Sequence, residues 1–247
     1  DAEYSQRKAI EVNPDFAEAH CNLGNILKDL GKLKEAELLT RKTIELSPNL
    51  SIAYSNLGSI LRDLDQLEEG KTSLLKAIEL NPNYAMAHSN LGVILKDLGK
   101  LKESEKSTRK AISLKPDFDE AHFNLGNILI DSGKTNQAEI SIRKAIELNP
   151  SFGDAYFSLS CIELSKGEYD SGLENYEYRF KKREPATLNG IVNIKKYDKK
   201  RLLLNQKLLI VSEQGLGDTI QYMRYIPYMR NLGFDITFSA QIKLHNL

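Results

Sequence analysis

The chain has 247 residues, and its 34 basic and 34 acidic side chains give a net charge of zero, which offers no case for nucleic acid as a partner. No stretch approaches the roughly 20 apolar residues that span a bilayer, so we expect no membrane partner. The charge is uneven: residues 181–247 carry 12 Lys or Arg against 5 Asp or Glu, whereas the preceding part is acidic. This contrast predicts two modules.

A 34-residue unit recurs through the first of these modules. Its marker proline keeps the period without slippage, at Pro14, Pro48, Pro82, Pro116 and Pro150. With Ala17 as position one, we divide the chain into a partial repeat with a second helix only (1–16), four repeats (17–50, 51–84, 85–118 and 119–152), a degenerate capping repeat (153–184), a linker (185–206) and a start of another domain (207–247). A fixed period of this length predicts a stacked array.

Each unit holds two apolar patterns of helical spacing, so we predict a pair of helices per repeat. Four units carry a glycine between the two patterns, suited to the left-handed residue that ends a helix: Gly31, Gly99, Gly133 and Gly167. Position eight is glycine in the four full repeats, which lets paired helices approach closely. The residue after each marker proline is a predicted N-cap: Asp15, Asn49, Asn83, Asp117 and Ser151. Because one pair cannot bury its apolar face, the fold class is mainly α, an α-solenoid.

Two polar positions recur on the side of the first helix opposite its apolar stripe. Position six is asparagine and position thirteen is aspartate in all four full repeats: Asn22, Asn56, Asn90 and Asn124, then Asp29, Asp63, Asp97 and Asp131. We call these eight residues the ladder and the helix side that carries them the ladder face. Asparagine is a poor helix former, and an aspartate in the last turn opposes the helix dipole. Their recurrence therefore favours a binding role, although a solvated face copied by duplication remains the alternative.

The repeat resembles the tetratricopeptide repeat in its proline, small and apolar positions, which implies a right-handed superhelix with the ladder on its concave side. The ladder resembles the asparagine and aspartate rows inside the repeat domain of the O-GlcNAc transferase family, which guide protein substrates to the catalytic module. The resemblance implies a protein or peptide in the concave groove. Position four is histidine in three repeats, His20, His88 and His122. Neighbouring first helices are roughly 10 Å apart, so we expect these histidines to pack rather than bind metal, and we predict no metal site.

The last part of the chain changes period. Leu208–Val211 and Phe234–Phe238 are predicted strands, with a glycine loop at Gly215–Asp218 and a helix over Thr219–Leu232 between them. This order predicts the opening of a parallel α/β domain. Gly215 and Gly217 fit part of a dinucleotide fingerprint, but Ile220 occupies the place of its third glycine.

The string from Ser212 to Pro227 (SEQGLGDTIQYMRYIP) resembles the start of the glycosyltransferase domain of bacterial tetratricopeptide-repeat proteins, and more distantly the heptosyltransferases. The aromatic stretch Tyr169–Phe180 is similar to the helix that joins repeats to catalytic domain in those proteins. The resemblance implies that Asp218 is the base that activates an acceptor hydroxyl, while an N-cap role is an equal alternative.

From these features we expect a peptide-binding scaffold that presents an extended acceptor to a Rossmann-like glycosyltransferase lobe continuing beyond Leu247. The chain alone then has no cofactor and does not catalyse, and a sugar nucleotide serves only the longer parent protein. The alternative is an adaptor whose C-terminal piece only caps the solenoid. The unfinished sheet also predicts self-association through its edges. Cys21 and Cys161 are too distant to pair, which fits a reducing, cytoplasmic setting.

Overall fold

The computed structural model describes residues 2–182, 207–211 and 225–239. Residues 2–182 are almost entirely helical. The helices are α1 (Ala2–Val12), α2 (Ala17–Asp29), α3 (Leu33–Leu46), α4 (Ser51–Asp63), α5 (Leu67–Leu80), α6 (Ala85–Asp97), α7 (Leu101–Leu114), α8 (Asp119–Asp131), α9 (Thr135–Leu148), α10 (Gly153–Ser165) and α11 (Tyr169–Tyr176), followed by a 3₁₀ turn at Glu177–Phe180. The predicted mainly α solenoid is confirmed.

The turn within each pair uses a left-handed backbone, as predicted. Gly31, Gly99 and Gly133 have φ values of 74°, 73° and 71°, and the backbone N–H of the residue after each glycine closes the end of the first helix. In the second repeat the same place is held by Asp65, with φ 61°. Short turns of this kind fold the second helix back along the first.

Glycine at position eight brings the two helices of a pair into close contact. A Cβ on Gly126 would lie 2.4 Å from Cγ1 of Ile142, and one on Gly58 would lie 2.6 Å from Cγ of Leu74. Distances this short leave no room for a side chain at these two glycines unless the facing side chain shifts. The buried side chains around these contacts form the core that runs from repeat to repeat.

The predicted N-caps are wrong by one residue. The N-cap of each first helix is the apolar residue at the end of the preceding unit, without a side-chain hydrogen bond: Phe16, Leu50, Tyr84, Phe118 and Phe152. In three of the five cases the polar residue before it instead donates its backbone N–H to an asparagine side chain two residues earlier: Asp15 to Asn13 at 3.2 Å, Asn83 to Asn81 at 3.1 Å and Ser151 to Asn149 at 3.2 Å. These are Asx turns, and they leave the N-cap free to pack an apolar side chain.

The helices stack so that the ladder face lies on the inner side. Each second helix packs mainly against the first helix of its own repeat and of the next, whereas consecutive first helices (α2, α4, α6 and α8) also touch one another directly. A stack that is tighter on one side curves toward that side. The first helices therefore line the concave surface of residues 2–178.

A second compact unit comprises residues 179–247. Its described part holds strand β1 (Lys207–Val211), helix α12 (Tyr225–Asn231), which Gly233 follows with φ 94°, and strand β2 (Asp235–Ser239). The strands pair in parallel with Lys207 opposite Asp235 and Val211 opposite Ser239. The expected parallel α/β segment is thus confirmed, although residues 212–224 between β1 and α12 lie outside the described residues.

No helix among the described residues combines the length and the apolar character needed to cross a bilayer.

Candidate functional site

The ladder asparagines are tied to the repeat that precedes them. One Nδ2–H of Asn124 donates to Oγ of Ser89 at 3.2 Å, and Asn90 donates to Oγ of Ser55 at 3.5 Å. Asn56 makes the equivalent contact to a sulfur, Sγ of Cys21, at 3.5 Å. Each bond joins position six of one repeat to position five of the repeat before it.

These bonds use only part of each carboxamide. A carboxamide offers two N–H donors and one acceptor oxygen, and within the described residues no donor reaches the side-chain oxygen of Asn56, Asn90 or Asn124. The three residues are half-buried, so the remaining oxygen and N–H are held in place at the concave surface. Asn22, which has only the second helix of a partial repeat described in front of it, is exposed.

The residues at position five were missed from the sequence. Cys21 is only 6% exposed, and burial raises the pKa of its thiol, so the sulfur stays a neutral acceptor. Ser55 and Ser89 are also buried. A small side chain with a lone pair occupies position five in the three repeats that precede Asn56, Asn90 and Asn124, with the same 34-residue period, and this is the signal that identifies it; the fourth repeat has Phe123 there.

The ladder aspartates are not isolated carboxylates. They alternate with the basic residues at position twelve in a continuous row of ion pairs. The order and the N–O distances are Lys28–Asp63 (3.5 Å), Asp63–Arg62 (3.7 Å), Arg62–Asp97 (2.7 Å), Asp97–Lys96 (3.6 Å) and Lys96–Asp131 (3.6 Å). We call these six residues the charge chain. It neutralises three of the four ladder carboxylates and ties together the first helices of four repeats.

Three acidic side chains of the ladder face stay outside this row. Asp29 has no described basic residue within 4 Å, in contrast to the other three ladder aspartates. Glu18 and Glu120, at position two of the first and fourth repeats, are exposed and likewise have no ion pair among the described residues. Negative charge is therefore unneutralised at both ends of the ladder face and neutralised in the middle.

The position-four histidines have a structural role. The ring Nε2–H of each donates to the carbonyl oxygen of the marker proline six residues earlier: His20 to Pro14 at 2.8 Å, His88 to Pro82 at 3.0 Å and His122 to Pro116 at 3.0 Å. The bond fastens the loop between repeats to the start of the first helix. Among the described residues, no group of three or more His, Cys, Asp or Glu is placed to hold a metal ion.

Asp218, the predicted base, and the predicted loop glycines Gly215 and Gly217 lie outside the described residues.

Two clefts open on the opposite, second-helix side of the solenoid, between neighbouring repeats. Their basic rims are already engaged: Arg143 of one cleft is paired with Glu139 at 2.8 Å, and Arg41 of the other with Glu69 at 2.6 Å. The ladder face, with its partly unused carboxamides, is the better candidate for a binding site.

Stacked helix pairs with an asparagine and an aspartate of each full repeat along a concave wall define a helical repeat scaffold. Family models of the tetratricopeptide repeat match residues 6–37, 87–118 and 119–152, and a TPR repeat model matches residues 58–99. No curated protein sequence matches the chain.

Solved structures of repeat proteins resemble the chain at low identity. The thermophilic TPR protein TTC0263 of Thermus thermophilus is 20% identical over 68% of this chain and 91% of its own, with a TM-score of 0.61. PilW, a type IV pilus biogenesis factor, is 20% identical over 71% and 80%, with a TM-score of 0.62. PilF of Pseudomonas aeruginosa is 20% identical over 66% and 74%, with a TM-score of 0.60.

Identity this low shows the fold alone, and the family models supply the rest. The chain is a tetratricopeptide-repeat protein.

Proposed function

We propose that the ladder face binds an extended segment of another polypeptide, held chiefly through its backbone. The observation that carries this proposal is the row of half-used carboxamides at Asn56, Asn90 and Asn124, each fixed by one N–H and open at its oxygen. A carboxamide matches a peptide group in donor and acceptor. A row of them holds a backbone without selecting its side chains.

Free energies limit the strength of this binding. Each net hydrogen bond is worth about 1 kcal/mol, whereas ordering one peptide residue costs about 1–2 kcal/mol. Four asparagines therefore give weak binding with broad selectivity. The charge chain adds little general attraction, because Asp63, Asp97 and Asp131 are already paired with cations of the preceding repeat.

The test separates binding from the bonds between repeats. A fluorescent, Ser/Thr-rich peptide of about 15 residues, which spans four repeats at about 3.3 Å per residue, is titrated against the wild type and Asn90→Ala/Asn124→Ala. The matched control, Ser55→Ala/Ser89→Ala, removes the acceptors of the same two bonds and keeps both carboxamides. We expect the asparagine variant to bind at least about tenfold more weakly, from two lost bonds, and the serine control to bind within about twofold of wild type. Equal affinity of all three proteins would show that the asparagines serve packing alone.

We further propose that the bound segment is the acceptor of a sugar. The parallel β1–α12–β2 unit has the order that opens a Rossmann-like lobe, and residues 212–227 resemble the start of a glycosyltransferase domain. In this proposal the solenoid presents a sugar acceptor to that domain, with Asp218 as the base and a sugar nucleotide as the donor. The adaptor function is the competing proposal and requires no sugar nucleotide.

Titration calorimetry distinguishes the glycosyltransferase proposal from the adaptor proposal. The natural protein that contains this chain is titrated with UDP-, GDP- and ADP-linked sugars, and transfer to the peptide is followed with the sugar that binds. Asp218→Asn is expected to keep donor binding and to lose most transfer, because it removes the base. If none of the three nucleotide classes binds, the enzyme part of the proposal is wrong and the adaptor remains.

The edges of β1 and β2 also support a proposed contact between copies. Among the described residues these two strands pair only with each other, and the edge strands of a sheet are able to pair with another chain. Light scattering over a wide range of concentration tests this: a mass that stays at one chain throughout contradicts it.

A further inference from the structure

Position two gives the ladder face an uneven chemical character. In the middle repeats it carries two exposed apolar side chains, Ile52 at 41% and Met86 at 38% exposure. In the repeats on either side it carries Glu18 and Glu120. Single exposed apolar residues are common on protein surfaces, but these two occupy equivalent places on neighbouring helices.

The glutamates that flank this pair are available to a ligand. Neither has an ion pair among the described residues, and Asp29 adds a third free carboxylate at the first-repeat end of the same face. The charges between them are neutralised within the charge chain. The face is therefore acidic, apolar, apolar and acidic along four repeats, and its complement is a segment that is basic at both ends and apolar between them.

The spacing of the repeats selects the backbone conformation of that segment. Packed helices lie about 8–10 Å apart, so equivalent side chains of neighbouring first helices repeat at that distance. A polyproline II segment rises about 3.1 Å per residue with three residues per turn, which presents every third side chain on one side at about 9.3 Å. In a β-strand residues three apart point to opposite sides, so a strand does not match the row.

The carboxamides fit the same conformation. Ile52 and Asn56, like Met86 and Asn90, are four residues apart and lie one turn apart on one helix face. A polyproline II backbone makes no internal hydrogen bonds, so its carbonyl and N–H groups stay free for Asn56 and Asn90 while every third side chain contacts position two.

We propose that the ladder face takes a polyproline II segment of the pattern basic-x-x-apolar-x-x-apolar-x-x-basic, with its apolar side chains on Ile52 and Met86 and its Lys or Arg side chains at Glu18 and Glu120. The inference rests on the proposed function and adds the class of sequence that is bound.

The experiment uses three peptides of ten residues, of which the first two share one composition. The first is Lys-Pro-Ser-Leu-Pro-Ser-Leu-Pro-Ser-Lys. The second contains the same residues, rearranged so that the two leucines are two positions apart. The third is the first peptide with both Lys replaced by Glu. They are titrated into the full chain and into two variants, Ile52→Ser/Met86→Ser and Glu18→Gln/Glu120→Gln. The matched control is Leu38→Ser/Ile140→Ser, which removes apolar side chains that are 68% and 71% exposed on second helices.

We expect the first peptide to bind at least about tenfold more tightly than the second, because both leucines contact apolar side chains only at the spacing of three. Ile52→Ser/Met86→Ser should remove that advantage. Glu18→Gln/Glu120→Gln should weaken the first peptide and reduce its dependence on salt, and the control should change nothing.

The outcomes separate this inference from the proposed function. If all three peptides bind alike and Asn90→Ala/Asn124→Ala still weakens them, the face binds backbone without this pattern and the inference is wrong. If the second or third peptide binds best, the inference is wrong in its spacing or its charge. If no peptide binds the wild type, the proposed function is wrong as well.

Discussion

At the scale of single residues, Asp65 is the one described non-glycine residue with a positive φ, at 61°. It stands where three other full repeats have glycine. A left-handed conformation costs an L-residue roughly 1 kcal/mol or more, and aspartate tolerates it better than most. We therefore expect Asp65→Gly to raise the free energy of unfolding by up to about 1 kcal/mol, with part of the gain offset by the greater freedom of glycine in the unfolded chain.

Urea denaturation followed by circular dichroism measures this effect. Gly99→Asp is the matched change in the next repeat, where φ is 73°, and it should lower the urea midpoint by a similar amount. A lower midpoint for Asp65→Gly would mean that the aspartate side chain stabilises the turn.

Single residues also show where sequence patterns mislead. Asp15 and Asn83 have the chemistry of N-caps, yet each donates its backbone N–H to an asparagine two residues earlier. Both roles satisfy local sequence preferences. Packing accounts for the choice at Asn83, because the following residue, Tyr84, packs as the true N-cap against the cluster around Leu91, whereas Phe16, which follows Asp15, is 41% exposed.

At the scale of helices, the contact of α10 with α11 is built around a buried carboxylate. Glu163 is 1% exposed and takes position eleven, where the four full repeats have leucine. It accepts hydrogen bonds from Arg143 at 2.9 Å and from Asn175 of α11 at 2.8 Å. The degenerate repeat thus exchanges an apolar contact for a polar one that fixes the last helix.

The two partners of this ion pair should respond unequally to substitution. Arg143→Met leaves a buried carboxylate without its cation, which we expect to cost about 2 kcal/mol of unfolding free energy, reduced from a fully buried pair because Arg143 is half exposed. Glu163→Leu restores the repeat pattern and leaves Arg143 half exposed and still paired with Glu139, so we expect a change within about 1 kcal/mol.

Thermal denaturation shows which of the two variants loses more stability, and limited proteolysis shows whether the loss is local to α11. Glu163→Leu should expose α11 to cleavage, because Asn175 loses its acceptor. If Glu163→Leu costs more than Arg143→Met, the buried pair is net stabilising.

The second helices are joined by ion pairs that predict a pH dependence. Bonds from Lys134 lower the pKa of Glu105 and bonds from Lys166 lower that of Glu139, each below its ordinary value of 4.5. A carboxylate with a lowered folded-state pKa contributes stability that is fully present above the unfolded value and is lost as the pH falls through the folded value. We expect the thermal midpoint to be flat above about pH 5 and to fall below the ordinary glutamate pKa.

The double variant Glu105→Gln/Glu139→Gln checks this assignment. It should have a lower midpoint than wild type at pH 7 and a shallower fall on acidification. A fall as steep as that of the wild type would assign the pH dependence to other carboxylates.

At the scale of the whole molecule, the sequence predicts the solenoid because its 34-residue period is redundant: each helix pair is specified several times over. The contacts of the ladder face follow a different spacing. Asn124 bonds to Ser89 and Asp97 to Arg62, and both pairs are separated by 35 residues. Each first helix is therefore offset by one residue against its neighbour.

That offset explains why the contacts between ladder residues and the preceding repeat could not be predicted from the sequence. A period places equivalent residues on equivalent faces, but it does not say which position of one repeat meets which position of the next. The packing of helices fixes that register. Positions five and twelve carry the partners in the first three repeats and change to Phe123 and Ile130 in the fourth, so the period alone does not identify them as partners of the ladder.

Substitution of Arg62 measures how much the charge chain between repeats contributes to stability. It joins Asp97 of the next repeat at 2.7 Å and Asp63 of its own helix at 3.7 Å. An isolated exposed ion pair contributes about 0–1 kcal/mol, and a residue shared by two pairs in a row lies toward the upper end. We expect Arg62→Gln to lower the free energy of unfolding by about 0.5–1 kcal/mol at low ionic strength and by much less at 1 M salt, where charges are screened over roughly 3 Å.

The control Lys42→Gln removes a pair with Glu45 within a single helix and should cost less at either salt concentration. An Arg62→Gln effect that does not depend on salt would assign its cost to lost packing of the arginine stem, because packing, unlike charge pairing between repeats, is not screened.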